Sequence, residues 1–209
     1  MIGLNENYKL VKDLLSKNTG AYVDIQEYMR YANLAQNELF DTLRGNNSQN
    51  KSTYGRNRTL DARLNPFRVK EDIVFASLVA TKPTGMAQIT AIYSTTYVPI
   101  RPIDEDRIAN IVQDPLSESH YYAEDATQLR LVKGADVSGT IEYLKLPTPV
   151  DLKYTIVNGR SVYNATGTIN FEWDKNMEME LTTRILSYAA LSMGNQLVMQ
   201  AANNNKAQE

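Results

Sequence analysis

Residues 4 to 17, LNENYKLVKDLLSK, put Leu4, Tyr8, Val11 and Leu15 on one face at helical spacing, and Asn18 to Gly20 stops the pattern. A second stripe follows at once. Ile25, Tyr28, Met29, Ala32, Ala35, Leu39 and Leu43 recur over about five turns. Asp24 with Glu27 three residues on has the spacing of a capping box, and Gly45 is the expected stop. Residues 1–44 therefore predict an N-terminal helical hairpin. Beyond the polar stretch 45–70 the period shortens: 71–175 predicts mainly strands with one short helix. DIVFASLVAT (72–81) and MAQITAIYSTTYV pair across the turn KPTG, and Asp104 opens a short helix, DEDRIANIVQ, that Asp114-Pro115 closes. HYYAED, QLRLV and TIEYLKLP follow, and DLKYTIV meets SVYNATGTINF around Asn158-Gly159, the clearest hairpin signal in the chain. Residues 176–209 predict a long helix, apolar over a broad arc, and a polar tail. The order predicts an α+β fold in a single domain, 1–209: a helical hairpin and a long C-terminal helix packed with an antiparallel β-sheet or small sandwich, interrupted by a long basic insertion loop.

Composition narrows the class. A hydrophobic fraction of 43% and a charged fraction of 22% are ordinary for a folded domain, and 209 residues suffice for a real core. Cysteine is absent, which excludes disulfides and thiolate metal sites. The opening MIGLNENYKL lacks a signal-peptide pattern, and no apolar run nears the roughly 20 residues of a membrane span. The net charge of -2 conceals an uneven distribution. From Arg44 to Lys70 stand seven bases (Arg44, Lys51, Arg56, Arg58, Arg63, Arg68, Lys70) against one acid, Asp61, while the rest holds fifteen bases and twenty-three acids. A basic insert in an acidic body predicts an acidic partner for the insert, nucleic acid or a neighbouring copy of the same body.

Candidate chemistry is sparse. The lone His120 sits with Glu118, Glu124 and Asp125, yet structural metal sites usually draw on several His or Cys. Neither GxxxxGK[ST] nor GxGxxG occurs, so no nucleotide or other cofactor is expected. Asp151-Leu152-Lys153 has the acid-x-lysine spacing of metal-dependent nucleases, with Glu142 and Asp136 near in sequence. Alternating charges on a solvent-facing strand produce the same tripeptide. The thirteen tyrosines, among them Tyr93, Tyr97, Tyr121, Tyr122, Tyr143, Tyr154 and Tyr163, suit either cross-strand ladders or a protein interface.

Three stretches, in order, resemble the head-to-tail connector (adaptor or ring) proteins of short-tailed bacteriophages, and are most similar to ring proteins of crAss-like phages. They are VDIQEYMRYANLAQNELFDTLRG, QLRLVKGADVSGTIEYLKLPTPV and INFEWDKNMEMELTTRILSYAALSMGNQLVMQAANNN, with 72–115 outside the resemblance. The resemblance implies a virion structural protein of the neck or tail, assembled in the host cytoplasm as a homo-dodecameric ring. It implies docking on the portal protein and on neighbouring tail or ring proteins, with DNA passing non-specifically through the channel. It implies no enzyme activity, no metal, no cofactor and no membrane. The alternatives are a metal-dependent nuclease built on Asp151 and Lys153, or a sequence-independent DNA-binding protein using the basic insert.

The insert itself divides in two. Asn, Ser, Gly and Thr fill its first half, while Leu60, Leu64 and Phe67 give the second half apolar anchors. With Arg56, Arg58 and Arg63 they form a candidate subunit-interaction arm that orders on an adjacent subunit or ring. Deleting 47 to 58 is expected to leave the monomer folded and to weaken ring assembly; a deletion variant that assembles normally by light scattering would reduce the segment to a plain loop.

Overall fold

Asp24 opens a helix through a reciprocal bond: its Oδ1 accepts from the Glu27 backbone N–H at 2.7 Å, and the Glu27 carboxylate accepts from Asp24 N–H at 3.4 Å. Gly45 ends that helix at φ 83, a left-handed conformation in which a side chain is strained. The computed structural model describes residues 2–19, 22–45, 62–108, 112, 120–133 and 138–192. In it α1 is Leu4–Thr19, α2 is Ile25–Arg44 and α3, near the other end of the chain, is Glu178–Ser192. Among the described residues the strands are β1 Arg68–Val74, β2 Val79–Thr81, β3 Met86–Ser94, β4 Pro99–Pro102, β5 Tyr121–Glu124, β6 Gln128–Lys133, β7 Ser138–Lys145, β8 Tyr154–Val157 and β9 Arg160–Tyr163. The class is α+β. The expected continuation of the last helix past Ser192, and most of the short helix after Asp104, lie outside the described residues; a 3-10 turn, Glu105–Arg107, stands at the start of the latter.

Two compact units partition the chain, where its sequence suggests one domain. The first joins Met1–Pro66 to Pro147–Glu209 and the second is Phe67–Leu146. In the first, α3 packs on both α2 and α1. Trp173, Leu181 and Ile185 are fully buried, as are Tyr28, Leu39 and Phe40 of α2 and Leu4 and Leu15 of α1. Removing each such side chain from water contributes about 1.5–3 kcal/mol. Amid them lies Asn7, also wholly buried, which costs free energy unless it is bonded. Its Nδ2 donates to Thr182 Oγ1 at 2.7 Å and its Oδ1 accepts from the Tyr28 hydroxyl at 2.8 Å, so all three helices share one satisfied polar junction. Burial pushes the Tyr28 phenol well above its ordinary pKa, which keeps it a donor.

The second unit is a seven-stranded sheet in the order β1-β7-β3-β4-β5-β6-β2. Its interior is built from Ile73, Phe75, Ile92, Ile100, Tyr122, Leu129, Leu131, Ile141 and Tyr143. Two expectations need correction. The sheet is mixed rather than antiparallel, because β4 pairs with β5 in parallel, Arg101 with Tyr121. The intervening 103–120 is long enough to bring the chain back to the same end, which a tight turn cannot do. Nor is 72–81 one strand. β1 starts earlier, at Arg68 inside the basic stretch, and stops at Val74; Ser77 and Leu78 take positive φ (51 and 66), an Ala76–Val79 bridge closes the bend, and β2 joins the opposite edge beside β6. FASLV contains no Gly, Pro or Asn, and Ser77 alone is a weak turn signal within an apolar run.

Among the described residues no helix is long and apolar enough to cross a membrane. Gly139 of β7 lies opposite Ser94 of β3, and a Cβ built there would run into the Tyr93 carbonyl oxygen. Gly139→Ala is therefore expected to lower stability by more than about 2 kcal/mol in urea unfolding; an unchanged midpoint would mean that β3 and β7 part without cost.

Candidate functional site

Asn33 on α2 holds the approach to an exposed hairpin of the first unit. Its Oδ1 accepts from Val150 N–H at 2.8 Å and its Nδ2 donates to Val150 C=O at 3.2 Å, a side chain taking the place of a neighbouring strand. Gln36 Nε2 adds a bond to Thr148 C=O at 3.1 Å, and Asp151 forms a backbone bridge with Ile169. From this foundation rises the two-stranded hairpin β8–β9, paired Tyr154–Tyr163, Thr155–Val162, Ile156–Ser161 and Val157–Arg160. Asn158 and Gly159 both take positive φ (51 and 76), the turn that the right-handed twist of a two-residue hairpin demands. Tyr154 stacks edge-on to Tyr163, centroids 6.0 Å apart, and donates to Asn5 Oδ1 at 2.8 Å, which fastens the base.

Beyond that base the hairpin is open. Ile156 is 80% exposed, Val157 50% and Val162 46%. Cross-strand partners share a face, so Ile156 lies on one face and Val157 with Val162 on the other. Among the described residues β8 and β9 pair only with each other, which leaves the outer backbone edge of each without a strand. An isolated two-stranded ribbon is marginal in water, and open apolar edges invite another strand. In the second unit Tyr97 is 82% exposed at φ 61, locked by bonds from its N–H to Ser94 C=O (2.9 Å) and from Val98 N–H to Ser94 Oγ (3.1 Å). Tyr122 and Tyr143, in contrast, belong to the sheet interior.

The foot of the basic segment forms a second polar cluster. Arg184 of α3, its side chain 7% exposed, donates to Glu38 of α2 at 2.9 Å and to Glu180 at 3.1 Å. Arg63 approaches Glu180 at 3.6 Å, and the Tyr188 hydroxyl donates to Glu38 at 3.0 Å. Two arginines balance two glutamates, which is what allows a buried guanidinium here. Leu64 and Phe67 are buried as well. Arg63, Leu64 and Phe67 thus have partners within their own chain, and the arm that would order on a neighbour rests on Arg56, Arg58 and Leu60, which lie outside the described residues.

The other candidates are engaged locally. Lys153 Nζ sits 2.7 Å from Asp151 Oδ2, an exposed neutral pair, and Glu142 is engaged with Lys70 on the adjacent strand at 3.4 Å. A groove of about 210 Å³ beside that second pair, lined by Arg68, Val69, Lys70, Thr90, Glu142 and Tyr143, opens to solvent. Asp136 and Glu118 lie outside the described residues. The described residues contain no group of three or more His, Asp or Glu that could hold a metal ion. No family model matches the chain, and neither does any curated protein.

Sequence reasoning located the β8–β9 turn through Asn158-Gly159 but missed its apolar side chains as a surface. Ile156, Val157 and Val162 look like core in a linear chain, but among the described residues no layer covers them on the faces of the hairpin.

Burial, together with the bond to Glu38, pushes Tyr188 up from 10.0 to about 12. Folding favours the protonated phenol, so its contribution is whole below pH 10 and is lost as pH rises from 10 towards about 12. Unfolding measured in steps across that window should show stability falling faster for the native chain than for Tyr188→Phe; equal slopes would remove the linkage.

Proposed function

We propose that this chain is a virion structural protein, a head-to-tail connector adaptor that forms a ring beneath the portal and lines part of the channel for DNA ejection. The observation that carries this reading is the β8–β9 hairpin: braced at its base, with apolar side chains on both faces and, among the described residues, unpaired along both edges. Such an element is stable chiefly when another chain covers it. The basic 44–70 stretch against an acidic remainder supplies long-range attraction between copies. The ordered resemblance to connector proteins supplies the setting: a homo-dodecamer, with the portal protein above, other ring or tail proteins below and DNA passing without sequence preference. On this reading the chain is not an enzyme. The nuclease alternative is weaker because Lys153 already neutralises Asp151 and Glu142 belongs to another pair.

Light scattering on the purified protein, alone and mixed with portal, is expected to report a ring-sized mass or a stable complex. A chain that stays monomeric in both conditions would sink the proposal.

A further inference from the structure

A hairpin open along both edges needs two partners, and a ring of identical copies supplies both through one repeated contact. Every residue from 155 to 162 is exposed, so the β8–β9 hairpin stands clear of its own unit beyond the base. The direction of its backbone groups follows from one bond: just below the ladder, Asn164 N–H donates to Lys153 C=O at 3.0 Å. Bonded and non-bonded pairs alternate in antiparallel strands, so Tyr154 and Ile156 of β8, and Ser161 and Tyr163 of β9, turn their backbone groups to the outer edges. Among the described residues no strand meets those edges.

We propose that β9 of one copy lies antiparallel to β8 of the next, with Tyr163 beside Ile156 and Val162 beside Val157, so that the hairpins of the ring join into one closed sheet. The proposal rests on the ring-forming reading above and specifies its contact. β8 and β9 run in opposite directions, and all hairpins of a ring point the same way along its axis, so the new neighbours are antiparallel. Three registers set an outward-turned residue of β9 against one of β8. With Ser161 beside Ile156, Arg160 falls beside Val157 and Val162 beside Thr155. With Ser161 beside Tyr154, Val162 falls beside Lys153. Only with Tyr163 beside Ile156 does Val162 meet Val157, and then the exposed Ile156, Val157 and Val162 all gain apolar neighbours on their own face. This register is staggered relative to the pairing inside the hairpin, and stagger is what the tilted strands of a closed sheet require. Backbone bonds along both edges supply affinity while the side chains select the register. Pairing β9 with β9, or β8 with β8, leaves one edge of each hairpin bare.

The absence of cysteine makes the test clean. Val162 and Val157 of adjacent copies fall at a non-hydrogen-bonded position, where Cα atoms lie about 4.5 Å apart, within disulfide reach. Val162→Cys and Val157→Cys chains, mixed and oxidised, are expected to form linked dimers that neither variant forms alone. Val162→Asp should weaken self-association at least about tenfold in light scattering while leaving the urea midpoint of the dilute chain unchanged. If the native chain assembles while mixed cross-links fail, or Val162→Cys copies link to one another as readily, this contact is overturned and the ring reading stands. A Val162→Asp chain that assembles like the native one has the same consequence. If the native chain never assembles, both fall.

Discussion

Everything in the first unit depends on the return of the C-terminal helix to the N-terminal ones. Thr182 accepts a bond from Asn7 across 175 residues of sequence, and Arg184 meets Glu38 across 146. A buried amide and a buried guanidinium each carry a desolvation cost of several kcal/mol when unpaired, so neither group can be left without its distant partner. That requirement makes the unit discontinuous. The seven-stranded sheet, 67–146, is consequently an insertion whose two ends must both come back to the helical unit's chain. Non-local closure of this kind is slow and is reached late in folding, after local helix formation has supplied the surfaces that meet.

The same unit invests unevenly in its parts. α3 is covered by α1 and α2, with Leu181, Ile185 and Ala189 all at zero exposure, while β8 and β9 are given a base and little else. Tyr154 is tied twice, to Tyr163 and to Asn5, and the segment before it is pinned by Asn33 and Gln36. These contacts fix where the hairpin starts and which way its faces point. They do nothing to cover Ile156, Val157 and Val162. A natural monomer ordinarily blunts such an edge with a proline, a lysine or a bulge, and none stands in these two strands. A rigid base under an uncovered tip would lower the entropic cost of the association proposed above, because the strand is already extended.

Much of this architecture was legible in the chain. The capping box at Asp24 and Glu27, the stop at Gly45 and the Asn158-Gly159 turn each act through neighbours in sequence, and local chemistry of that sort survives tertiary packing. The misreadings share a different origin. The bend at Ser77-Leu78 is imposed by the two edges of a curled sheet, with Leu131 N–H donating to Leu78 C=O at 2.7 Å, and no propensity of those residues foretells it. The parallel β4–β5 pair likewise depends on where a long connection ends. For the candidate site the polar half was harder still: Glu38, Glu180 and Arg184 look like the solvated faces of two helices until the helices meet.

Placement of charge and placement of apolar surface lead to different expectations about assembly, and the two fit one scheme. The basic 44–70 stretch acts over a Debye length of about 8 Å at physiological salt, which suits the approach of copies rather than their alignment. Alignment needs short-range features that tolerate no slip. Exposed apolar side chains at fixed positions on an open strand supply that, since a one-residue shift turns every side chain to the wrong face. On the ring reading proposed above, attraction by the insert would set the rate of encounter between copies, and the short-range features of the β8–β9 hairpin would set the geometry of their contact.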